Sequence, residues 1–322
     1  MKYIISITLA LWSALWPAML QGAPQSQRPE QADAPVKLRA DMVSLDAEVL
    51  LKKTGHAAQG LTKEDFVVYE DNVPQYVTDF SQDKLPLSVV LALDVSSSIA
   101  PLFADLRAAA AHALQQLKPV DEVALMAFGG TTRVVAGLTT DKQLIADELE
   151  TTDGTGLERG TNINEAIYQA AGYLQKYSPP LNRRVILAIT DDISTQTTLS
   201  PSESGVLARL HESGSVVCGL LFFNSLRNTR FAMVSGSVRG YANETGGALI
   251  NADKKRLEAD LGELVQRLRT RYSLGYFSTN EKRDGKFHKV RVELSPQAQA
   301  RGLKVEIITR KGYKAASATP RK

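Results

Sequence analysis

The stretch Leu87-Ser88-Val89-Val90-Leu91-Ala92-Leu93-Asp94-Val95-Ser96-Ser97-Ser98 decides the fold. Pro86 opens it, and a nearly unbroken apolar run then ends in an acid and a cluster of serines. A strand covered on both faces reads this way, because neither side needs polar residues for water. Three similar runs follow, Val123–Phe128, Val185–Ile189 and Val216–Phe223. The segments between them carry helical stripes. Residues 102–117 put Leu102, Leu106, Ala109, Ala110, Ala113, Leu114 and Leu117 on one side. Residues 162–175 do the same with Ile163, Ala166, Ile167, Ala170, Ala171 and Leu174, and residues 254–270 with Leu257, Leu261, Leu264, Val265 and Leu268. Buried strands alternating with amphipathic helices predict an α/β class: a doubly wound, Rossmann-like, mostly parallel sheet between two helical layers.

Outward from this block the pattern changes to period two. Val43, Leu45, Ala47, Val49 and Leu51 alternate, Phe66–Tyr69 ends at the turn signal Glu70-Asp71-Asn72, and Pro74 precedes Tyr76-Val77-Thr78. The alternation returns after Arg271 with Tyr272, Leu274 and Tyr276, then Val290, Val292 and Leu294, then a last strand over Lys304–Ile308. Neither end has enough strands to close a core alone. The expected organisation is therefore an α/β domain over 85–270 inserted into a small β-sandwich built from 36–84 and 271–314, with a tail at 315–322.

The first 22 residues read as a secretory signal peptide: Lys2, an apolar run from Tyr3 to Trp16, then small residues to Gly22. The run is too short to span a bilayer. Residues 23–35, rich in Pro, Gln and Ala, read as a disordered leader. An exported location, periplasmic, cell-surface or secreted, is the expectation. Cys218 is the only cysteine, so no intrachain disulfide can form. Its apolar surroundings predict a buried, inert thiol. The formal net charge of +3 argues against nucleic acid as partner.

In open α/β sheets ligands bind at the carboxyl ends of the strands. Asp94-Val95-Ser96-Ser97-Ser98 lies at such an end, Gly160-Thr161-Asn162 at the start of the 162–175 helix, and Thr190-Asp191-Asp192 at the end of the Val185–Ile189 run. Each alone has a bland reading as a helix cap or a turn. Together they set two carboxylates and three hydroxyls at one sheet edge. Oxygen-only donors with few formal charges suit a hard divalent ion, Mg²⁺ or Mn²⁺.

Asp94-Val95-Ser96-Ser97-Ser98, Thr161 and Asp191 match, in order and context, the metal-ion-dependent adhesion site of von Willebrand factor A-type (VWA) domains, which residues 85–270 resemble. The resemblance implies that Asp94, Ser96, Ser98, Thr161 and Asp191 hold the metal, and that a carboxylate from a protein or glycan partner completes its shell. One departure is visible: many VWA domains have Gly where this chain has Asp192, and the extra carboxylate would either raise cation affinity or discourage an acidic ligand. The flanks are similar to a narrower group, the VWFA-related Acidobacterial domain family of exported bacterial proteins. The quoted segments are Gly60–Phe66 with Glu70–Gln75, Thr245-Gly246-Gly247, Gly285–Val290 and Arg310-Lys311-Gly312-Tyr313.

Enzymatic signatures are weak. His56, His112, His211 and His288 show no zinc-hydrolase spacing, and neither a Gly-x-Ser-x-Gly elbow nor a Walker lysine occurs. Gly154–Gly160 has the wrong spacing for a dinucleotide loop and reads as a mobile loop presenting Thr161. The expectation is metal-dependent binding or adhesion without catalysis. The alternatives are a metal-dependent hydrolase, with Asp192 as the one spare carboxylate, and a structural envelope protein whose metal only stabilises the fold.

Overall fold

A computed structural model describes residues 42–195, 200–222, 237–280 and 284–315. The signal-peptide and leader segments, and all but the first residue of the tail, lie outside these. Fourteen strands and seven α-helices are laid out along the described chain. The first four strands are β1 (Met42–Leu51), β2 (Phe66–Glu70), β3 (Val73–Gln75) and β4 (Val77–Gln82). The α/β block begins with β5 (Leu87–Asp94) and α1 (Phe103–Gln115), then β6 (Glu122–Phe128), β7 (Thr132–Thr139), α2 (Lys142–Thr151) and α3 (Ile163–Tyr177). It continues through β8 (Arg183–Thr190), α4 (Glu203–Ser213), β9 (Val216–Phe222), α5 (Val238–Thr245), β10 (Leu249–Ala252) and α6 (Leu257–Arg269). The chain then returns to strands with β11 (Tyr272–Phe277) and β12 (Phe287–Leu294), the short α7 (Pro296–Ala300), β13 (Val305–Ile308) and β14 (Gly312–Lys314).

The central sheet has the order β10-β9-β8-β5-β6-β7. Its ladders are parallel except for β6 with β7, which is antiparallel. All eight residues of β5 are buried, as the unbroken apolar run requires. Alternate residues feed two separate cores. Val89, Leu91 and Leu93 face a layer with Leu106 of α1, Ile145 of α2 and Leu261 of α6. Val90 and Ala92 face Ile167 of α3, Val206 of α4 and Tyr241 of α5. This is a doubly wound sheet, and it puts the carboxyl ends of β5 and β8 side by side. Strand β7 was not legible in the sequence, because it is a half-exposed edge with no clean alternation.

Two further four-stranded sheets mix both ends of the chain, in the orders β13-β1-β11-β4 and β14-β12-β2-β3. The β1–β11 and β2–β12 ladders are antiparallel. Their inner residues form one apolar core that includes Leu45, Val68, Tyr272, Leu274 and Val292. Two stacked sheets with a shared interior are the layer arrangement that each end, too short alone, needs. Among the described residues, no helix is long and apolar enough to cross a membrane.

Candidate metal centre

The candidate residues sit on three loops at the carboxyl edge of the central sheet, and backbone bonds join those loops. Val95 N–H donates to Phe128 C=O (2.9 Å), and Asn162 N–H donates to Gly129 C=O (2.7 Å). Gly130 N–H donates to Glu158 C=O (2.7 Å), which fastens the loop leading to Thr161. Thr195 N–H donates to Thr161 C=O (2.7 Å), and Thr195 Oγ1 accepts from Thr161 N–H (2.7 Å). This close contact needs a glycine: Gly160 has φ +107°, and a Cβ there would lie 2.5 Å from Thr195 Oγ1.

The capping alternatives fail on geometry. Neither the 3₁₀ turn at Ala100–Leu102 nor α1 takes a side-chain cap, so the serines cap no helix there. Helix α3 is capped by Asn162, whose side chain accepts from Glu165 N–H (3.1 Å), which leaves the Thr161 hydroxyl out of that role. Ser96 and Ser98 instead turn toward one another, Oγ to Oγ 3.0 Å.

Asp94 is fully buried, at 0% exposure, and Asp191 nearly so, at 6%. Asp94 Oδ1 accepts from Ser96 N–H (2.9 Å) and its Oδ2 from the Thr190 hydroxyl (2.6 Å). Burial pushes the Asp94 carboxyl up to about 6. The Ser96 and Thr190 hydrogen bonds oppose that rise, and the neighbouring Asp191 charge adds to it. Asp191 Oδ1 accepts from Ile193 N–H (3.2 Å), whereas its Oδ2 is buried with no hydrogen-bond partner. Among the described residues no ion pair reaches either acid. A buried carboxylate oxygen left bare costs free energy. A hard cation would satisfy it, and two carboxylates with three hydroxyls are donors of the right type. The residues therefore fit a divalent ion.

Asp192 behaves differently from its sequence reading. Its carboxylate is not spare. Oδ1 accepts from Val238 N–H (2.7 Å) and Oδ2 from Arg239 N–H (3.4 Å), both at the start of α5. Burial raises its pKa and those two amides oppose the rise.

A second group of possible ligands lies in the β-sandwich, where Glu70, Asp71 and His288 bring ligand atoms within 4.8 Å of one another. Its hydrogen bonds point elsewhere. Glu70 already accepts from the hydroxyls of Tyr276 (2.9 Å), Ser278 (2.7 Å) and Tyr313 (3.1 Å). Since an ionised carboxylate only accepts, His288 Nδ1 donates to Asp71 Oδ2, at 2.7 Å. The other ring nitrogen faces Asp284 Oδ1 at 3.6 Å. Against the effect of burial, the surrounding carboxylates raise the pKa of this imidazole, and its Nε2 is buried with no hydrogen-bond partner. Cys218 is fully buried, as expected, and burial raises its thiol pKa.

Residues 89–194 match the family model of the von Willebrand factor type A domain. The α/β block thus carries a VWA domain, with extra strands outside it. Among curated proteins none matches significantly. Several solved structures share the shape at low identity. An aerotolerance-related membrane protein from Bacteroides fragilis aligns at 18% identity over 56% of this chain and 98% of its own, with a TM-score of 0.43. BatB from Bacteroides thetaiotaomicron aligns at 19% identity over 56% of this chain and 99% of its own, with a TM-score of 0.43. Proximal thread matrix protein 1 from the mussel byssus, with a zinc-occupied MIDAS motif, aligns at 15% identity with a TM-score of 0.46. That match covers 62% of this chain and 49% of the mussel protein. These are likenesses of fold only.

Proposed function

We propose that the VWA domain binds a divalent cation, Mg²⁺ or Mn²⁺, through Asp94, Ser96, Ser98, Thr161 and Asp191, and uses it to hold a carboxylate of a protein or glycan partner without catalysing a reaction. The observation that carries this reading is the buried, unpartnered Asp191 Oδ2 beside the fully buried Asp94. When bound, the cation would supply an electrophilic centre for an incoming acid. The chain's own residues do the rest. Thr190 and the Ser96 amide orient Asp94, and the Thr195 contacts hold Thr161 in place.

We favour binding over hydrolysis because the one carboxylate the sequence offered as a spare base is already engaged. Asp192 was the one candidate, and backbone amides occupy its carboxylate. Export as a bacterial envelope or secreted protein belongs to the same proposal, on the strength of the N-terminal pattern. N-terminal sequencing of the native protein tests it, and a chain beginning at Met1 in a cytoplasmic fraction refutes it.

Calorimetry on metal-stripped protein tests the metal assignment. Wild type is expected to bind Mg²⁺ or Mn²⁺ and Asp94→Ala to bind neither; equal binding by both refutes it. For the partner, pull-down from an extract of the producing cell is expected to fail in EDTA. Capture that survives EDTA overturns the metal-bridged mechanism.

A further inference from the structure

The departure at position 192 points to a role of its own. Asp192 has φ +57°, in the left-handed region where glycine is at ease and most side chains are not. Asp and Asn tolerate it better than other non-glycine residues. At this position the carboxylate has a use that glycine cannot supply. Oδ1 takes the Val238 N–H at 2.7 Å, one of the amides that a helix start leaves without an internal partner. Ser237 caps the same helix through Gly240 N–H (3.0 Å), so Asp192 adds a second attachment rather than replacing the cap.

The residue is also fastened on its other side. Asp192 N–H donates to Thr190 Oγ1 (3.1 Å), and that hydroxyl donates to Asp94 Oδ2 (2.6 Å). One chain of bonds therefore runs from α5, through Asp192 and Thr190, to the buried acid at the end of β5. Asp191 is the neighbour of Asp192 in this turn. Its bare Oδ2 can be aimed at a cation only as well as the turn is held.

We propose that Asp192 is a positioning residue for the cation. By anchoring the Thr190–Ile193 turn to α5, it orients both metal carboxylates, Asp191 through the backbone and Asp94 through Thr190. This rests on the metal-binding reading above. It differs from the expectation that the extra acid acts by its charge on the ion or on an acidic ligand.

Two substitutions separate the possibilities. Asp192→Asn keeps an acceptor oxygen for Val238 N–H and tolerates the backbone angle, but has no charge. Asp192→Gly relaxes the backbone and restores the residue common in the family, but cannot reach α5. Calorimetry with Mg²⁺ is expected to find the Asn variant close to wild type. The Gly variant is expected to bind roughly tenfold more weakly, the low end for outer groups that orient metal ligands. Amide exchange in metal-free protein gives an independent readout: Val238 is expected to exchange faster in the Gly variant and to be unchanged in the Asn variant. A Gly variant that binds like wild type overturns the proposal, as does unaltered Val238 exchange in it. An Asn variant as weak as the Gly variant also overturns it, in favour of a charge effect. If wild type itself binds no Mg²⁺, the metal reading fails and takes the positioning role with it, while Val238 exchange still shows whether the anchor exists.

Discussion

Two regions of this molecule treat their buried acids in opposite ways. Where the β-sandwich meets the α/β domain, Glu48 on β1 is 1% exposed and receives Arg267 Nε at 2.5 Å and Arg271 Nη1 at 3.5 Å. Asp46 nearby receives Arg183 Nε at 3.1 Å and the Ser273 hydroxyl at 2.8 Å. Burial opposes its ionisation, yet Arg183 and Arg271 hold its pKa below the usual carboxylate range. At the carboxyl edge of the sheet, Asp94 and Asp191 are buried too, but hydroxyls and amides are their only described partners. There the pKa of Asp94 goes up instead. Glu48 and Asp94 are almost equally buried, and what differs is the arginines beside the first. A fold that pairs arginines with its buried acids at one end and, among the described residues, pairs none with Asp94 or Asp191 at the other leaves room for a cation from solution.

The largest effect expected from this contrast is at the junction. Glu48→Gln would leave the buried Arg271 and the half-buried Arg267 without the Glu48 charge. Removing one partner of a buried ion pair typically costs about 3–5 kcal/mol. Urea unfolding should show that loss, and a change within 1 kcal/mol would mean that Glu48 is not a working countercharge.

Asp94→Asn should act in the opposite direction on metal-free protein. The wild-type acid is harder to ionise folded than unfolded, so at neutral pH its charge destabilises the fold. A carboxyl moved from 3.8 to about 6 corresponds to a penalty on the order of 1–3 kcal/mol. The variant should therefore unfold at a higher temperature in EDTA than wild type does. It should also lack the Mg²⁺-dependent stabilisation expected of wild type. A variant that is less stable than wild type in EDTA would break the comparison between the two regions.

His288 sharpens the contrast from within the sandwich, where a titratable side chain would supply the cation when protonated. Burial disfavours its charged form, but the Asp71 hydrogen bond and the charges of Asp71, Glu70 and Asp284 outweigh that and raise its pKa. Asn280 and the Tyr313 ring are its uncharged neighbours. A raised folded value means that the stabilisation is complete below the ordinary imidazole pKa of about 6.5 and is lost as pH rises through the folded one. Denaturant midpoints measured from pH 6 to pH 9 should therefore fall further for wild type than for His288→Gln. Parallel curves would show that the imidazole is neutral throughout.

Most of the fold was open to a reader of the sequence because burial leaves a one-dimensional trace. Strand β5 is apolar on both faces, and α3 carries its stripe on Ile163, Ala166, Ile167, Ala170, Ala171 and Leu174. The edges left weaker traces: β7 is half-exposed, and β10 has four residues. The candidate ligands were legible because strand ends gather in an α/β sheet. Their supporting residues were not. Thr190 meets Asp94 across 96 positions of sequence, and Asp192 reaches α5 across 46. No periodicity encodes which way a side chain points from a turn with positive φ, so Asp192 read as a free charge at the site.

Thr195 is another such supporting residue, and the smallest expected effect lies there. Its side chain is exposed, and among the described residues its hydroxyl oxygen bonds only with the backbone of Thr161, accepting the N–H at 2.7 Å and facing the carbonyl at 3.3 Å. Thr195→Val keeps the shape and removes the acceptor. The Thr195 N–H to Thr161 C=O bond remains, so the two loops stay joined and the melting temperature should barely move. What loosens is the Thr161 amide, and with it the hydroxyl offered to the cation. One net hydrogen bond is worth about 1 kcal/mol, which corresponds to roughly fivefold in affinity. Calorimetry should thus find a modest loss of Mg²⁺ affinity with little change in unfolding. A large fall in stability would mean that Thr195 holds the fold rather than the ligand. Unchanged affinity would place Thr161 under the control of its backbone alone.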